Sequence, residues 1–352
     1  MTPNDSVDNL DNHSGLLTQK QKEIIFNQIK LYPNNTQMAI SIIKGDSCIY
    51  YGAIRKNDTV SEIDNKYSLF EIGSVTKVFT ATLLADFIVD STLTLDRYIN
   101  DDLDFELNNN IKISYKELAN HTSGLPGKPS DLFFSAIKSP LNPYKFYTTD
   151  KLEKYLKDKL EISSTDGTKY KYSNLGVGIL GYVLCRIAQT DYETLLNERI
   201  FCKYGLTNTT SIREKIGDKL VAGLGPFGNK TPNWDLASLE ACGGLISSTN
   251  DLTKFIQAQF DTNNPELALT RKSTFVKENK NEVGLGWSIL KDKSDNNWYF
   301  KNGGTGGYRC ATIFDTENKT GIIILTNISI GHRKSDRIDE FCYQLMRTIN
   351  TS

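Results

Sequence analysis

FEIGSVTKVFTATLLADFIVD, Phe70 to Asp90, is the stretch whose reading decides the fold, and within it Ser74 and Lys77 carry the chemistry. A serine and a lysine three positions apart share a face only on a helix. Gly73 suits a helix start, and Val78, Phe79, Leu83, Leu84, Phe87 and Ile88 recur at helical spacing. The spacing predicts a long amphipathic helix with the Ser74 hydroxyl and the Lys77 amine side by side at its N-terminus. Unpaired backbone N–H groups and a partial positive charge at such an end favour an oxyanion formed nearby. Ser74 is thus a candidate nucleophile and Lys77 its candidate base. The plainer reading is a helix-cap serine beside a lysine that reaches for solvent.

The same spacing recurs at Ser41 with Lys44, Ser135 with Lys138, and Ser288 with Lys291. Ser41 (QMAISIIK) and Ser288 (GLGWSILK) sit in β-rich runs, where positions three apart point to opposite faces. Ser135 lies in a short segment cut off by Pro140. Only Ser74 opens a long helix.

The 352 residues suffice for one large domain or two intimate subdomains. With 41 Lys and Arg against 42 Asp and Glu, the net charge of −1 argues against nucleic acid or an acidic membrane as the main partner and leaves a small-molecule substrate. Six scattered cysteines form no C-x-x-C and have no neighbouring histidine, so they suggest neither zinc nor a disulfide framework. Of the three histidines, His13 is in a polar tail, His121 precedes Thr122 and Ser123 in a turn, and His332 follows the last strand. There is no H-E-x-x-H and no G-x-S-x-G, which leaves a Ser-His-Asp triad without a nucleophile motif. The polar start and the absence of a long apolar run predict no membrane span; as written the chain reads as cytoplasmic, or as periplasmic or secreted if a signal has been removed.

Taken in order, residues 1–15 read as a disordered tail, followed by a helix at TQKQKEIIFNQIKLY and a hairpin, QMAISIIK and SCIYYGAIRK, around Gly45 and Asp46. From 94 to 244 the pattern is helical with long loops: ISYKELAN, TTDKLEKYLKDKL, LGVGILGYVLCRIAQ and YETLLNERIF. The run Gly176, Gly178, Gly181 fits G-x-G-x-x-G, but KYKYSN before it is no buried strand, so a dinucleotide site is not expected. The C-terminal part, after a helix at STNDLTKFIQAQF, returns to hairpin-linked strands and a closing helix, SDRIDEFCYQLMRTI. The expected fold is α/β (α+β): an antiparallel sheet flanked by helices, built from 16–93 and 245–352, with a mostly helical subdomain, 94–244, inserted and the active site between them.

Two further stretches join Ser74 and Lys77. Tyr172 and Asn174 stand before a helix in KYSNLGVGILG; Lys301 ends a strand in FKNGGTGGYRC, with Gly303, Gly304, Gly306 and Gly307 leading into the next. Each alone has a plain reading: Tyr172 an aromatic at a helix start, Asn174 its cap, Lys301 a solvated strand end. A literal K-T-G at Lys319–Gly321 reads as a hairpin turn.

S-x-x-K, Y-x-N and K-x-G in that order resemble the penicillin-recognising serine hydrolases, in particular the class C β-lactamase-like branch with its esterases and D-amino-acid peptidases. The blocks FEIGSVTKVFTATLLA, LANHTSGLPG, YSNLGVGILG, ACGGLISSTNDL, GLGW and KNGGTGGY extend the resemblance over nearly all the chain after the tail. It implies a β-lactamase/transpeptidase-like fold, with Ser74 as acylated nucleophile and Lys77 and Tyr172 as the proton-transfer pair. It also implies substrate contacts from Asn174, Lys301, Gly303 and Gly304, an oxyanion hole from the backbone N–H groups of Ser74 and Gly304, and no metal or cofactor. An ordinary lysine is neutral in only about one molecule in 2,500 at pH 7. Burial and the second cation, Lys301, both push Lys77 toward the neutral form, while the same cations favour a deprotonated Tyr172, so either group suits as base. The expected substrate is a small ester or amide, with a β-lactam first and ester, D-amino-acid peptide or acyl-transfer substrates beside it. The reading from another class is a catalytically silent ligand-binding or assembly protein. Asn302 departs from the threonine of K-T-G, and Lys203 and Tyr204 replace the Pro-Leu pair before Gly205.

Overall fold

The computed structural model describes residues 16–163 and 167–349; the tail expected over 1–15 lies outside them. Nine strands form one antiparallel sheet in the order β3-β2-β1-β11-β10-β9-β8-β7-β6. The N-terminal members are β1 (Gln37–Lys44), β2 (Ser47–Lys56) and β3 (Thr59–Ile63). The C-terminal ones are β6 (Phe275–Val276), β7 (Glu282–Val283), β8 (Ser288–Lys291), β9 (Asn297–Gly304), β10 (Arg309–Asp315) and β11 (Thr320–Thr326). β4 (Phe70–Glu71) and β5 (Ile246–Ser247) make a separate pair. The two ends of the chain meet at the sheet centre, where β1 pairs with β11 from Met38↔Thr326 to Lys44↔Thr320.

The strand sequences explain why the sheet is buried on both faces. QMAISIIK and TGIIILT are continuous apolar runs where a half-exposed antiparallel strand would alternate. Met38, Ile40, Ile42, Ile322 and Ile324 face one core, shared with α1 (Gln19–Ile29) and α11 (Arg337–Ile349). Ala39, Ile43, Ile323 and Leu325 face the other, built around α2 (Thr76–Val89). α1 starts on a capping box: Thr18 Oγ1 accepts from the Gln21 N–H while Gln21 Oε1 accepts from the Thr18 N–H.

Between β4 and β5 the described residues contain no strand of the sheets, only α3 (Tyr115–Asn120), α4 (Leu132–Lys138), α5 (Thr149–Asp158), α6 (Asn174–Ala188), α7 (Tyr192–Leu196), α8 (Cys202–Tyr204) and short turns. After β5 come α9 (Thr249–Ala258), capped by Ser248, and α10 (Pro265–Arg271). The G-x-G-x-x-G run lies within α6, where its glycines serve packing: a Cβ at Gly178 would sit 2.4 Å from Leu239 Cδ2 and one at Gly181 2.1 Å from Ala241 Cβ.

Two local expectations are corrected. Helix α2 is not amphipathic: every residue from Thr76 to Ala85 is buried, because sheet and helices cover it on all sides. Its polar side chains stay satisfied locally, Thr82 on the Val78 carbonyl at 2.7 Å and Thr80 on the Ala241 carbonyl at 2.7 Å. Lys301 does not end its strand either. β9 runs on to Gly304, since the glycines that look like a loop in sequence stay paired with β10, Gly303↔Cys310 and Gly304↔Arg309.

Candidate active site

The nucleophile position is built by a tight approach of backbone to backbone. Ser74 sits in a 3₁₀ turn, Gly73–Val75, that leads into α2, and Gly73 has φ +48°. Strand β9 presses its glycines onto this turn. A Cβ at Gly73 would lie 2.5 Å from the Gly304 N, and one at Gly303 would lie 2.0 Å from the Ile72 oxygen and 2.8 Å from the Ser74 N. No side chain fits at either place, which is a physical reason for glycine at 73 and 303. The Thr305 N–H donates to the Tyr308 carbonyl at 2.9 Å, so by the alternation of an antiparallel pair the Gly304 N–H turns away from β10 toward the Ser74 turn.

Lys77, one turn into α2, is 1% exposed yet makes three hydrogen-bond contacts. Its Nζ lies 3.0 Å from Ser74 Oγ, 2.7 Å from Asn174 Oδ1 and 2.5 Å from the Cys242 carbonyl. An ammonium donating to all three satisfies this geometry; so does a neutral amine that donates to Asn174 and Cys242 and accepts from the Ser74 hydroxyl. None of the three partners is a carboxylate.

Tyr172 and Asn174 arrive from the start of α6, 98 and 97 positions from their partners. The Tyr172 hydroxyl is 2.8 Å from Ser74 Oγ. Ser173, between them, is the helix cap, its Oγ accepting from the Gly176 N–H at 2.9 Å. Capping by Ser173 leaves the Asn174 side chain to Lys77, so the cap reading of Asn174 does not hold.

Lys301, from the middle of β9, brings the second amine over the same ring: its Nζ is 5.4 Å from the Tyr172 ring centroid and that of Lys77 is 5.0 Å away. Burial holds the Lys301 pKa well below the usual lysine range, and the charges of Lys77 and Lys277 add to the shift. Asn302 points away from the site, donating from Nδ2 to Asp339 Oδ2 of α11 at 2.6 Å. The structure therefore brings Ser74, Lys77, Tyr172, Asn174 and Lys301 together, with Gly303 and Gly304 against the Ser74 turn. The three other serine–lysine pairs lie apart: Ser41 is buried and bonded to Thr253, Lys151 donates to Ser135, and Lys291 donates to the Asp295 carbonyl.

Further residues surround the cluster, of which only His121 is named from the sequence, as part of a turn. The Cys242 carbonyl that receives Lys77 comes from the ACGGL block, whose side chains give no hint that a backbone oxygen matters. His121 closes α3 in the left-handed region at φ +65° and tilts its ring against Tyr172 at 4.5 Å between centroids. Its Nδ1 accepts from the Ser173 N–H at 3.3 Å, and burial first, then the charges of Lys301, Lys77 and Lys277, hold its pKa well below the ordinary value. Tyr144, whose hydroxyl burial pushes up to about 12, lies against the Asn174 side chain. Glu71, three residues before Ser74, accepts from Arg213 Nη2 at 2.6 Å and from the Asn233 side chain and Trp234 N–H at 3.0 Å each, tying the 213–234 loop to the Ser74 turn.

Volume does not pick out this site. A cavity of about 680 Å³ lies along β2 and β3 between Tyr50, Glu62 and Lys66, and holds none of these groups. Chemistry does: a hydroxyl, two amines and a phenol within hydrogen-bond or ring-contact distance. Among the described residues no group of three His, Cys, Asp or Glu is placed to hold a metal ion.

Known proteins share this architecture. A β-lactamase from Providencia stuartii is 24% identical over 353 aligned positions, covering 88% of this chain and 87% of that one. A solved class C β-lactamase superposes with a TM-score of 0.79 at 18% identity, over 97% of this chain and 100% of the other. A β-lactamase/D-alanine carboxypeptidase from Pseudomonas syringae gives a TM-score of 0.78 at 20% identity, over 95% and 98%. The family model for β-lactamases matches residues 35–341, which takes in all five side chains of the cluster and every strand of the sheet, and the chain belongs to the β-lactamase family.

Proposed function

We propose that the protein is a serine hydrolase that forms an acyl-enzyme on Ser74. The observation that carries this reading is the convergence on Ser74 Oγ of the Tyr172 hydroxyl at 2.8 Å and the Lys77 amine at 3.0 Å, from segments far apart in sequence. Ser74 Oγ attacks the substrate carbonyl and its proton passes to the Lys77–Tyr172 pair. The N–H groups of Ser74 and Gly304 receive the oxyanion, a term worth about 3–4 kcal/mol per donor. The pair then gives the proton to the leaving amine or alkoxide. Water attacks the acyl-enzyme, the pair takes its proton, and Ser74 regains a proton as it leaves. Asn174 and Lys301 hold substrate polar groups beside the bond that breaks. The sheet-bearing segments supply Ser74, Lys77 and Lys301, and the intervening segment supplies Tyr172 and Asn174, which supports two subdomains with the cleft between them.

For the substrate we place a β-lactam first. A small ester or D-amino-acid amide is the second reading, and Asn302 favours it: it stands where K-T-G has a threonine, and its side chain is committed to Asp339. A silent binding protein has no reason to keep five such groups in register. Turnover of a chromogenic cephalosporin and of a p-nitrophenyl ester, each measured with the wild type and Ser74→Ala, tests both levels. The expected result is loss of at least about 10³-fold in kcat in the variant. Unchanged activity in Ser74→Ala would remove the proposed nucleophile, and the ratio of the two wild-type rates ranks the substrates.

A further inference from the structure

The segment from Asp131 to Tyr147 has its apolar pattern turned outward. Helix α4, LFFSAIK, buries Leu132 and Ser135, while Phe133, Phe134 and Ile137 are 66%, 67% and 60% exposed. Leu141 follows at 61% and Phe146 at 39%. Exposed apolar residues scattered singly are ordinary, but five large ones in one short segment make a patch.

This hump is held in place. The Tyr147 hydroxyl donates to Asp131 Oδ1 at 2.9 Å, closing its base, and Trp234 Nε1 donates to the Leu141 carbonyl at 2.9 Å. The Asp235 N–H donates to Asn142 Oδ1 at 3.0 Å. Anchored in this way, the segment does not fold its aromatic rings inward. It also stands at the rim of the cleft: Tyr144 contacts both Asn174 and the Trp234 ring, and Trp234 packs where a Cβ on Gly306 would fall, in the turn after β9.

The charges around the patch choose its partner. Lys128, Lys138, Lys145 and Lys151 are all exposed, and the Lys145 ammonium lies 5.6 Å from the Phe146 ring. The one acid in the segment, Asp131, is taken up by Tyr147 and by Lys159, 3.4 Å away, while Asp150 and Asp235 beside the segment are exposed. A protruding apolar tip with a basic collar fits the boundary of an anionic bilayer, where rings enter the acyl layer and lysines meet phosphates. A two-fold contact between copies would set the same lysines against each other, which disfavours self-association there. The near-zero net charge of the whole chain does not oppose this, because attraction to a surface acts within about 10 Å.

We propose that this face of the protein docks on an anionic phospholipid membrane, with α4 and the Leu141–Phe146 turn entering the interface and the cleft mouth held beside it. No helix among the described residues is long and apolar enough to cross a membrane, so the contact is a surface one. The proposal is independent of the hydrolase reading.

Co-sedimentation of the full chain with phosphatidylglycerol vesicles and with phosphatidylcholine vesicles at low salt is the test. The wild type is expected to pellet with the anionic vesicles and to be released by about 0.5 M salt. The surface variant Phe133→Ser/Phe134→Ser/Ile137→Ser, checked for folding by circular dichroism, is expected to partition at least about tenfold less, and Lys138→Glu/Lys145→Glu to show a similar loss. Wild-type protein that stays in the supernatant, binding equal to both lipids, or a serine variant that pellets like the wild type would overturn the proposal. So would a dimer by light scattering that the serine variant dissociates, since the patch would then belong to a second copy.

Discussion

Two buried cations stand on opposite faces of the same strand pair, and they are treated in opposite ways. On the α11 face, Arg309 is 6% exposed and meets both oxygens of Asp339 at 2.9 Å, with Asn302 donating to the same carboxylate. On the cleft face, Lys301, one residue before Asn302, is 8% exposed and shares its surroundings with Lys77 and Lys277 instead of a carboxylate. A buried charge left without a counter-ion costs several kcal/mol. The α11 face compensates its charge and so contributes to the fold. The cleft face leaves its charge uncompensated, which destabilises the free protein and, under the proposed mechanism, would keep the site ready for developing negative charge.

The sharpest way to break this contrast is to remove the phenol that sits between the two cleft amines. Tyr172→Phe keeps the ring over Lys77 and Lys301 and deletes the hydroxyl at Ser74. We expect kcat for the p-nitrophenyl ester to fall about 10³-fold with little change in melting temperature. A rate within about threefold of wild type would take Tyr172 out of the proton transfer.

The next test separates the two faces directly. Lys301→Met is expected to lower kcat/KM about 10²-fold while stabilising the protein by about 1–3 kcal/mol at pH 7, because an apolar group replaces an unpaired buried amine. The sign follows from linkage. With the folded pKa below 10.5, the unfolded chain binds the proton more tightly, so wild-type stability rises as pH climbs from the folded value toward 10.5. The gain in the variant should therefore shrink on going from neutral pH toward pH 10 in urea titrations. A variant that is less stable than wild type at pH 7 would show that Lys301 is structurally compensated after all.

How much of this was legible in the sequence differs between the faces too. The S-x-x-K, Y-x-N and K-x-G residues were readable because each chemistry needs a particular side chain at a particular spacing, and the sheet was readable from its apolar runs and hairpin turns. The Arg309–Asp339–Asn302 set was not, since an arginine, an asparagine and an aspartate 30 and 37 positions away carry no local pattern. The burial of α2 is hidden for a related reason: Thr76, Thr80 and Thr82 look like a polar face until it is known that Thr76 accepts from the Leu245 N–H and that Thr80 and Thr82 donate to backbone carbonyls. Helix α4 is hard to read from sequence because its outward phenylalanines break the inward periodicity that reveals other helices. The end of strand β9 is hidden because consecutive glycines signal a turn, whereas here they allow a close approach to Ser74.

On the compensated face the expected effect is on stability alone. Asp339→Ala strands Arg309 and should cost about 3 kcal/mol in urea unfolding, with the activity of the remaining folded protein within about twofold of wild type. Loss of activity at unchanged stability would mean that Asn302, once freed from Asp339, reaches back into the cleft, and the two faces would not be separable.

The smallest effect probes the edge of the cleft. His121 is fully buried beside Tyr172 with its pKa held well below 6.5, so the folded protein does not take up the proton that the unfolded chain takes up below that pH. Its contribution is complete above 6.5 and is lost as pH falls, at most about 1.4 kcal/mol per pH unit. His121→Asn suits the left-handed backbone at φ +65° and has no proton to gain. Although the variant loses the ring contact, and with it some stability at pH 7.5, the gap to wild type should narrow by about 1 kcal/mol on going to about pH 5.5. Parallel curves over that range would mean that the imidazole is protonated in the fold, a third positive charge against Lys77 and Lys301 that the uncompensated face has no means to hold.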